Sequence, residues 1–315
     1  MEKRNLGQSG LQVSVVGLGC NNFGFRIDLE GSRAVIHKAL DLGITLFDTA
    51  DIYGNKGGSE TILGEILGPR RKDIVLATKF GMPMDPDRGL TGASRRYIMT
   101  AVEDSLRRLK TDWIDLYQLH QADPRTPIEE TLRALDDLVR QGKVRYIGCS
   151  NLPSWQVADA QWTARSQKLT RFISCQDEYS LLVRGHERHL IPAMEHYGLS
   201  LLPYFPLASG LLTGKYKRNE APPPDTRLAA IKQRADAYLT DENFEIVERL
   251  TDFAESRGHT LLELAFSWLA CRPVVASVIA GATKPEQVQQ NVNAAGWKLT
   301  PDEIEEVDRL SAKSS

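Results

Sequence analysis

Four side chains scattered along the chain form a set that could place a proton on a carbonyl oxygen: Asp48, Tyr53, Lys79 and His120. A phenol has an ordinary pKa of about 10, too high to release its proton readily at neutral pH. A Lys79 ammonium about 4 Å away would contribute roughly 4 kcal/mol of attraction to the phenolate at an effective dielectric near 20. At about 1.36 kcal/mol per unit, this predicts a Tyr53 pKa lowered by up to about three units, before desolvation opposes it. Asp48 is the carboxylate that would keep Lys79 charged and in place. His120 can hydrogen-bond a carbonyl oxygen and orient it. The set is then a proton donor aimed at a carbonyl. It holds no source of electrons, so a hydride-carrying cofactor is expected. Taken singly, each residue has a plainer reading: a turn aspartate, a packed rim tyrosine, a solvated lysine, a satisfied polar histidine. The chemistry depends on a scaffold that brings them together.

The chain reads as such a scaffold. Short apolar runs alternate with amphipathic segments, the pattern of parallel strands joined by crossover helices. Strands are expected at 15–18, 45–48, 74–79, 114–119, 144–148, 172–176, 199–204 and 276–279. Helices are expected at 32–42, 60–67, 95–109, 127–140, 153–165, 187–197, 242–256, 261–270 and 285–294. In the third of these Val102, Leu106 and Leu109 share one face, and Pro127 suits the first turn of the fourth. The stretch 207–237, with Pro222, Pro223 and Pro224 inside it, is too long for a plain connection. Residues 301–310 read as a short acidic helix on the outside. Eight βα units without a linker predict an α/β fold, a single (β/α)₈ TIM barrel domain over 1–315, with a doubly wound open sheet as the alternative. Barrel chemistry sits where strands end. Asp48, Lys79 and His120 end three successive strands, and Tyr53 lies in the loop after the first of them. Ser150-Asn151, Gln176 and Tyr204 end the next three.

Composition narrows the function classes. With 39 basic and 41 acidic residues the formal net charge is −2, which argues against a nucleic-acid partner. No apolar run reaches the length of a membrane helix, and Met1-Glu2-Lys3-Arg4 leads into no apolar signal segment, so no membrane partner and a cytoplasmic location are expected. Cys20, Cys149, Cys175 and Cys271 match no zinc spacing. A metal-dependent barrel hydrolase would need several ligands converging on the ion, and Lys79 amid the set would repel it, so no metal is expected. Gly17, Gly19 and Gly24 resemble a dinucleotide fingerprint, but position 22 is Asn and no helix starts there. They are expected to form a tight turn at the barrel mouth.

The chain resembles the aldo-keto reductase superfamily nearly end to end. The segment from Phe47 to Gly54 is similar to its first signature, and Asp115 to His120 to its second. The family's catalytic tetrad falls on Asp48, Tyr53, Lys79 and His120 without substitution. The resemblance implies NADPH-dependent reduction of an aldehyde or ketone, with Tyr53 protonating the oxygen. It implies NADP rather than NAD as cofactor, and a small-molecule carbonyl substrate as partner. Ser150, Asn151 and Gln176 match residues that hold the nicotinamide carboxamide, and Tyr204 the aromatic that stacks on its ring. Pro206 to Lys215 resembles the loop folding over the pyrophosphate in the subgroup of bacterial reductases and potassium-channel beta subunits. This carries Pro206, Leu207, Ser209 and Leu211 over as cofactor contacts, with Lys215 and Arg227 as a phosphate clamp. Gly281 to Asn291 resembles the stretch for the adenosine phosphate at a helix start, carrying over Gly281, Thr283, Lys284, Gln287, Gln290 and Asn291. Many relatives have Arg in place of Gln287 and Glu in place of Gln290. A substrate pocket is expected from Phe23, Tyr53, Phe80 and Phe205. A cofactor-sensing regulatory subunit of the channel-beta type is the alternative function, and the subgroup leaves the oligomeric state open.

Overall fold

The strands that carry polar residues at their ends are buried over most of their length, so they pair in parallel and are covered on both faces. The computed structural model describes residues 1–313. A short antiparallel hairpin comes first, β1 (Lys3–Asn5) with β2 (Gln12–Ser14). Eight parallel strands follow: β3 (Val16–Gly19), β4 (Leu46–Asp48), β5 (Val75–Phe80), β6 (Ile114–Leu119), β7 (Val144–Ser150), β8 (Phe172–Gln176), β9 (Ser200–Leu201) and β10 (Val278–Gly281). They lie side by side in chain order from β3 to β9, and β10 returns beside β3. The seam between β9 and β10 is bridged by Leu201 N to Val274 O at 2.7 Å, Ala276 N to Leu201 O at 3.1 Å and Ile279 N to Pro203 O at 3.1 Å. The sheet therefore curls into a (β/α)₈ barrel.

Helices wrap the outside: α1 (Leu29–Asp41), α2 (Tyr53–Ile66), α3 (Arg95–Leu109), α4 (Ile128–Arg140), α5 (Ser154–Gln167) and α6 (Leu190–Tyr197). After β9 come α7 (Arg227–Ala230), α8 (Lys232–Tyr238), α9 (Asp241–Glu255) and α10 (Leu261–Ala270), then α11 (Pro285–Ala294) and α12 (Pro301–Leu310). Their starts follow the side chains that satisfy free N–H groups. Ser94 accepts from Tyr97 N at α3, and Thr260 with Glu263, like Thr300 with Glu303, forms a reciprocal capping box. The main core lies between strands and helices. A smaller one fills the barrel, with Leu46, Leu116, Leu202 and Ile279 joined by Leu6 and Val13 from the hairpin. That hairpin plugs the end of the barrel away from the strand C-termini, and no alternation in Lys3–Asn5 announces it.

Two local features shape the active rim. Helix α2 begins irregularly, with left-handed backbone at Gly54, Asn55, Lys56 and Gly57 before regular turns set in. Further along, α2 approaches α3 so closely that a Cβ on Gly64 would collide with the Arg108 carbonyl. The mouth-turn expectation for the three early glycines holds only for Gly24, which has φ +69°. Gly17 and Gly19 instead belong to β3, where a Cβ would press on Ser277 and Ile279. No helix among the described residues is long and apolar enough to cross a membrane.

Candidate active site

Strand register sets the rim. Asp48 lies opposite Gly19, Lys79 opposite Gln118, and Ser150 opposite Gln176. The Lys79 ammonium is fully buried and donates to Asp48 Oδ1 at 2.9 Å, Asp48 Oδ2 at 2.8 Å and Thr49 O at 2.8 Å. Asp48 Oδ1 also accepts from Gln176 Nε2 at 2.8 Å and Gln118 Nε2 at 3.3 Å. Every donor around that carboxylate comes from the inner wall of the barrel. Tyr53 sits above, its ring centroid 5.0 Å from Lys79 Nζ and 5.7 Å from the His120 ring, edge to face at 84°. The four candidate catalytic side chains therefore form one cluster.

The electrostatics correct one expectation. Burial raises the Tyr53 pKa above its ordinary value, and the nearby Lys79 charge lowers it without overcoming that rise. Coulomb attraction alone would lower it, but the closed site removes the water that would have stabilised a phenolate. Tyr53 is thus held protonated. Lys79 is raised above its ordinary pKa: burial opposes the charge, but Asp48 and Tyr53 more than offset it. Burial, then the Lys79 charge, pulls His120 down to about 3, so its imidazole is neutral across the physiological range. His120 Nδ1 has no hydrogen-bond partner among the described residues.

A cleft of about 970 Å³ opens on this cluster and runs to the start of α11. At the near end Ser150 Oγ donates to Gln176 O at 2.6 Å, and Asn151 adopts a left-handed backbone with φ +56°. Its Nδ2 donates to His120 O at 3.0 Å and to Ser150 Oγ at 2.9 Å, while its Oδ1 accepts from Tyr204 Oη at 2.8 Å. Buried Asp177, its pKa pushed up to about 8 by desolvation, accepts from Asn151 N at 3.2 Å and braces this turn. In the middle, Phe205, Ala208 and Ser209 all have positive φ, as does Gly210. Such backbone strain in non-glycine residues clusters at functional sites. Pro206, Leu207, Ser209, Lys215 and Arg227 line this part. At the far end stand Gly281, Thr283, Gln287, Gln290 and Asn291. Gln287 Oε1 accepts from Thr283 N at 2.7 Å, closing over the N–H that an anion at this helix start would use.

Several expected residues fall elsewhere. The Leu211 side chain is buried in the core and does not line the cleft. Lys284 is the exposed N-cap of α11 and is also outside the lining. Phe23 and Phe80, expected in the substrate pocket, are core residues with no exposure; Phe80 packs on Tyr117 at 4.8 Å. Of the four residues named for that pocket only Tyr53 and Phe205 face the cleft. Conversely, sequence reasoning passed over Asn22, Arg26, Gln118 and Arg234. Asn22 Oδ1 accepts from Arg227 Nη2 at 3.0 Å, and Arg26 donates to Asp225 O at 2.9 Å, tying the loop after β3 to the segment before α7 across the cleft. Their one available signal was position: Asn22 and Arg26 directly follow a barrel strand.

A profile described as "Aldo/keto reductase family" matches residues 15–312. The chain belongs to the aldo/keto reductase family. It is an oxidoreductase of that family, and its relatives agree in length. A "Probable voltage-gated potassium channel subunit beta" of Arabidopsis thaliana is 38% identical, covering 99% of this chain and 98% of the relative. An uncharacterized oxidoreductase of Bacillus subtilis is 38% identical over 95% of this chain and 92% of its own length. The "L-glyceraldehyde 3-phosphate reductase" of Escherichia coli K12 is 33% identical over 98% and 92%. Among the described residues no group of three or more His, Cys, Asp or Glu side chains could hold a metal ion.

Proposed function

We propose that this aldo/keto reductase family member is an NADPH-dependent carbonyl reductase, converting aldehydes or ketones to alcohols with Tyr53 as general acid. The observation that carries the reading is the fully buried Lys79 ammonium, gripped by Asp48 beneath Tyr53 at one end of an elongated cleft. The cleft suits a dinucleotide. Ser150, Asn151 and Gln176 line the cleft with amide and hydroxyl groups, the chemistry a carboxamide pairs with. Tyr204 offers a flat face, Lys215 and Arg227 offer charge to a pyrophosphate, and at the start of α11 a phosphate would displace the Gln287 amide from the Thr283 N–H. When bound, the reduced dinucleotide supplies a hydride for the carbonyl carbon.

The chain's own side chains handle the oxygen. Neutral His120 donates a hydrogen bond to it and, being so weakly basic, does not compete for the proton. Tyr53 keeps its proton until negative charge builds on the oxygen, then transfers it. Lys79 stabilises the phenolate left behind; Asp48 grips the ammonium, and Gln118 and Gln176 hold Asp48 in place. The direct test mixes the protein with NADPH and 4-nitrobenzaldehyde, methylglyoxal or 9,10-phenanthrenequinone. NADPH is consumed one for one with alcohol formed; binding without turnover on any carbonyl would remove the enzymatic reading. A second reading, a cofactor-sensing regulatory subunit, is supported by the printed name of the Arabidopsis relative and takes that result as its own.

The clamp has a separate test. Lys215→Met speeds NADPH release in stopped-flow by about tenfold, the size of one charge-assisted hydrogen bond. An unaltered off-rate means Lys215 does not hold the phosphates.

A further inference from the structure

Four cations line the cleft: Arg26, Lys215, Arg227 and Arg234. Their hydrogen-bond partners among the described residues are neutral: Asp225 O for Arg26, Asn22 Oδ1 for Arg227, and Ser209 Oγ at 3.5 Å for Arg234. They work against one another. Burial lowers the Lys215 pKa, and Arg26 and Arg227 lower it further. Arg227 is pulled to about 10 by burial and then by Arg26 and Arg234. Unpaired like charges gathered in a partly buried cleft attract anions. A dinucleotide's pyrophosphate brings one negative charge per phosphate, matching Lys215 and Arg227 and leaving two cations over.

Of the four, Arg234 lies closest to the Phe205 ring. Its guanidinium lies 4.1 Å from the centroid of Phe205, and Phe205 meets Tyr204 edge to face at 5.2 Å. Tyr204 in turn hydrogen-bonds Asn151, whose amide reaches the His120 carbonyl. This chain of contacts links Arg234 to the backbone of His120. Arg227 approaches the same Phe205 ring at 5.0 Å, so one aromatic side chain carries both guanidinium groups. A guanidinium has five donors in a planar fork, and Arg234 uses one of them weakly. The rest are free to grip two oxygens of one anionic group.

We propose that Arg234 recognises an anionic substrate: a short carbonyl compound bearing a phosphate or carboxylate a few bonds from the reacting carbon. Arg26, at the mouth, adds long-range attraction. The inference rests on the carbonyl-reductase reading and narrows it to a substrate class. Contact with the Phe205 ring at 4.1 Å restrains the guanidinium, so less side-chain freedom is lost on binding.

The experiment compares kcat/KM for pairs of similar size and different charge: succinic semialdehyde against butanal, and glyceraldehyde 3-phosphate against glyceraldehyde. One pair reports carboxylate, the other phosphate. The wild-type protein prefers the anionic member of at least one pair. Arg234→Gln reduces that preference about 10- to 100-fold, the size of a charge-assisted contact, and does so through KM. Arg234→Lys restores part of it. NADPH affinity, read by fluorescence titration, stays within about twofold of wild type. Calorimetry with succinate and glycerol 3-phosphate on the NADPH-loaded protein gives a reading free of turnover: at least one binds wild type, and Arg234→Gln weakens it. Equal efficiency on charged and neutral carbonyls overturns the proposal and leaves the reductase reading standing. A variant that loses NADPH affinity, and loses charged and neutral substrates alike, puts Arg234 in the cofactor clamp and also overturns it. Absence of turnover on these four and on the three carbonyls above removes the reductase reading, and the calorimetry then decides the anion site alone.

Discussion

Tyr53→Phe binds NADPH as tightly as the wild-type protein and turns over about 10²–10⁴-fold more slowly, the usual contribution of a positioned general acid. The substitution keeps the ring, so the edge-to-face contact with His120 at 5.7 Å and the Lys79 approach at 5.0 Å survive. What disappears is the one proton the site can deliver, because His120, with a pKa of about 3, carries no second proton to give at neutral pH. The raised pKa of Tyr53 sets the sign of the pH dependence. An acid must be protonated to act, so turnover falls only as pH climbs through a value above the ordinary phenol. Neutral His120 adds no step near pH 6 to 7. Steady-state kinetics between about pH 5 and 8 therefore give a flat kcat in the wild type, if chemistry limits the rate. Full turnover in Tyr53→Phe would take the proton transfer away from this residue.

That pKa also marks where reading the sequence stops. The ladder was legible because parallel strands buried on both faces read as short apolar runs. Expected and observed limits coincide for Ile114–Leu119, Phe172–Gln176, Arg95–Leu109 and Pro285–Ala294. Asp48, Lys79 and His120 were legible as strand ends, and Tyr53 as a residue of the loop after the first of them. The sign of the Tyr53 shift was not, since it depends on how much water the closed site excludes. Gln118 looked like any strand residue, because its partner Asp48 stands on a different strand. Arg227 meets Asn22 and Arg26 meets Asp225 across most of the chain's length, and no local pattern encodes such pairs. The left-handed turn from Gly54 to Gly57 broke the helical spacing, so α2 was read as starting at 60. Phe23 and Phe80 were placed by nearness to the rim in sequence, whereas their side chains turn to the helix layer.

Lys79→Met loses both stability and turnover, and the two losses separate. The wild-type ammonium has no exposure and three hydrogen bonds; its partner carboxylate is 5% exposed. Methionine fills similar space but leaves Asp48 ionised against two amide donors, with the Thr49 carbonyl unpaired. Removing one partner of a buried pair costs about 3–5 kcal/mol, because a charge remains in a medium that solvates it poorly. Urea denaturation measures this as a lower midpoint at unchanged slope. Adding Asp48→Asn removes the stranded charge, so the double variant recovers part of the lost stability. It does not recover turnover. Without the ammonium nothing stabilises the Tyr53 phenolate, and the rate stays down by about 10²–10³-fold, the scale for losing one electrostatic stabiliser of a developing charge. A Lys79→Met protein as stable as wild type would mean that the pair is not desolvated. A double variant with restored turnover would mean that Lys79 serves only to neutralise Asp48, leaving the acidity of Tyr53 to another group.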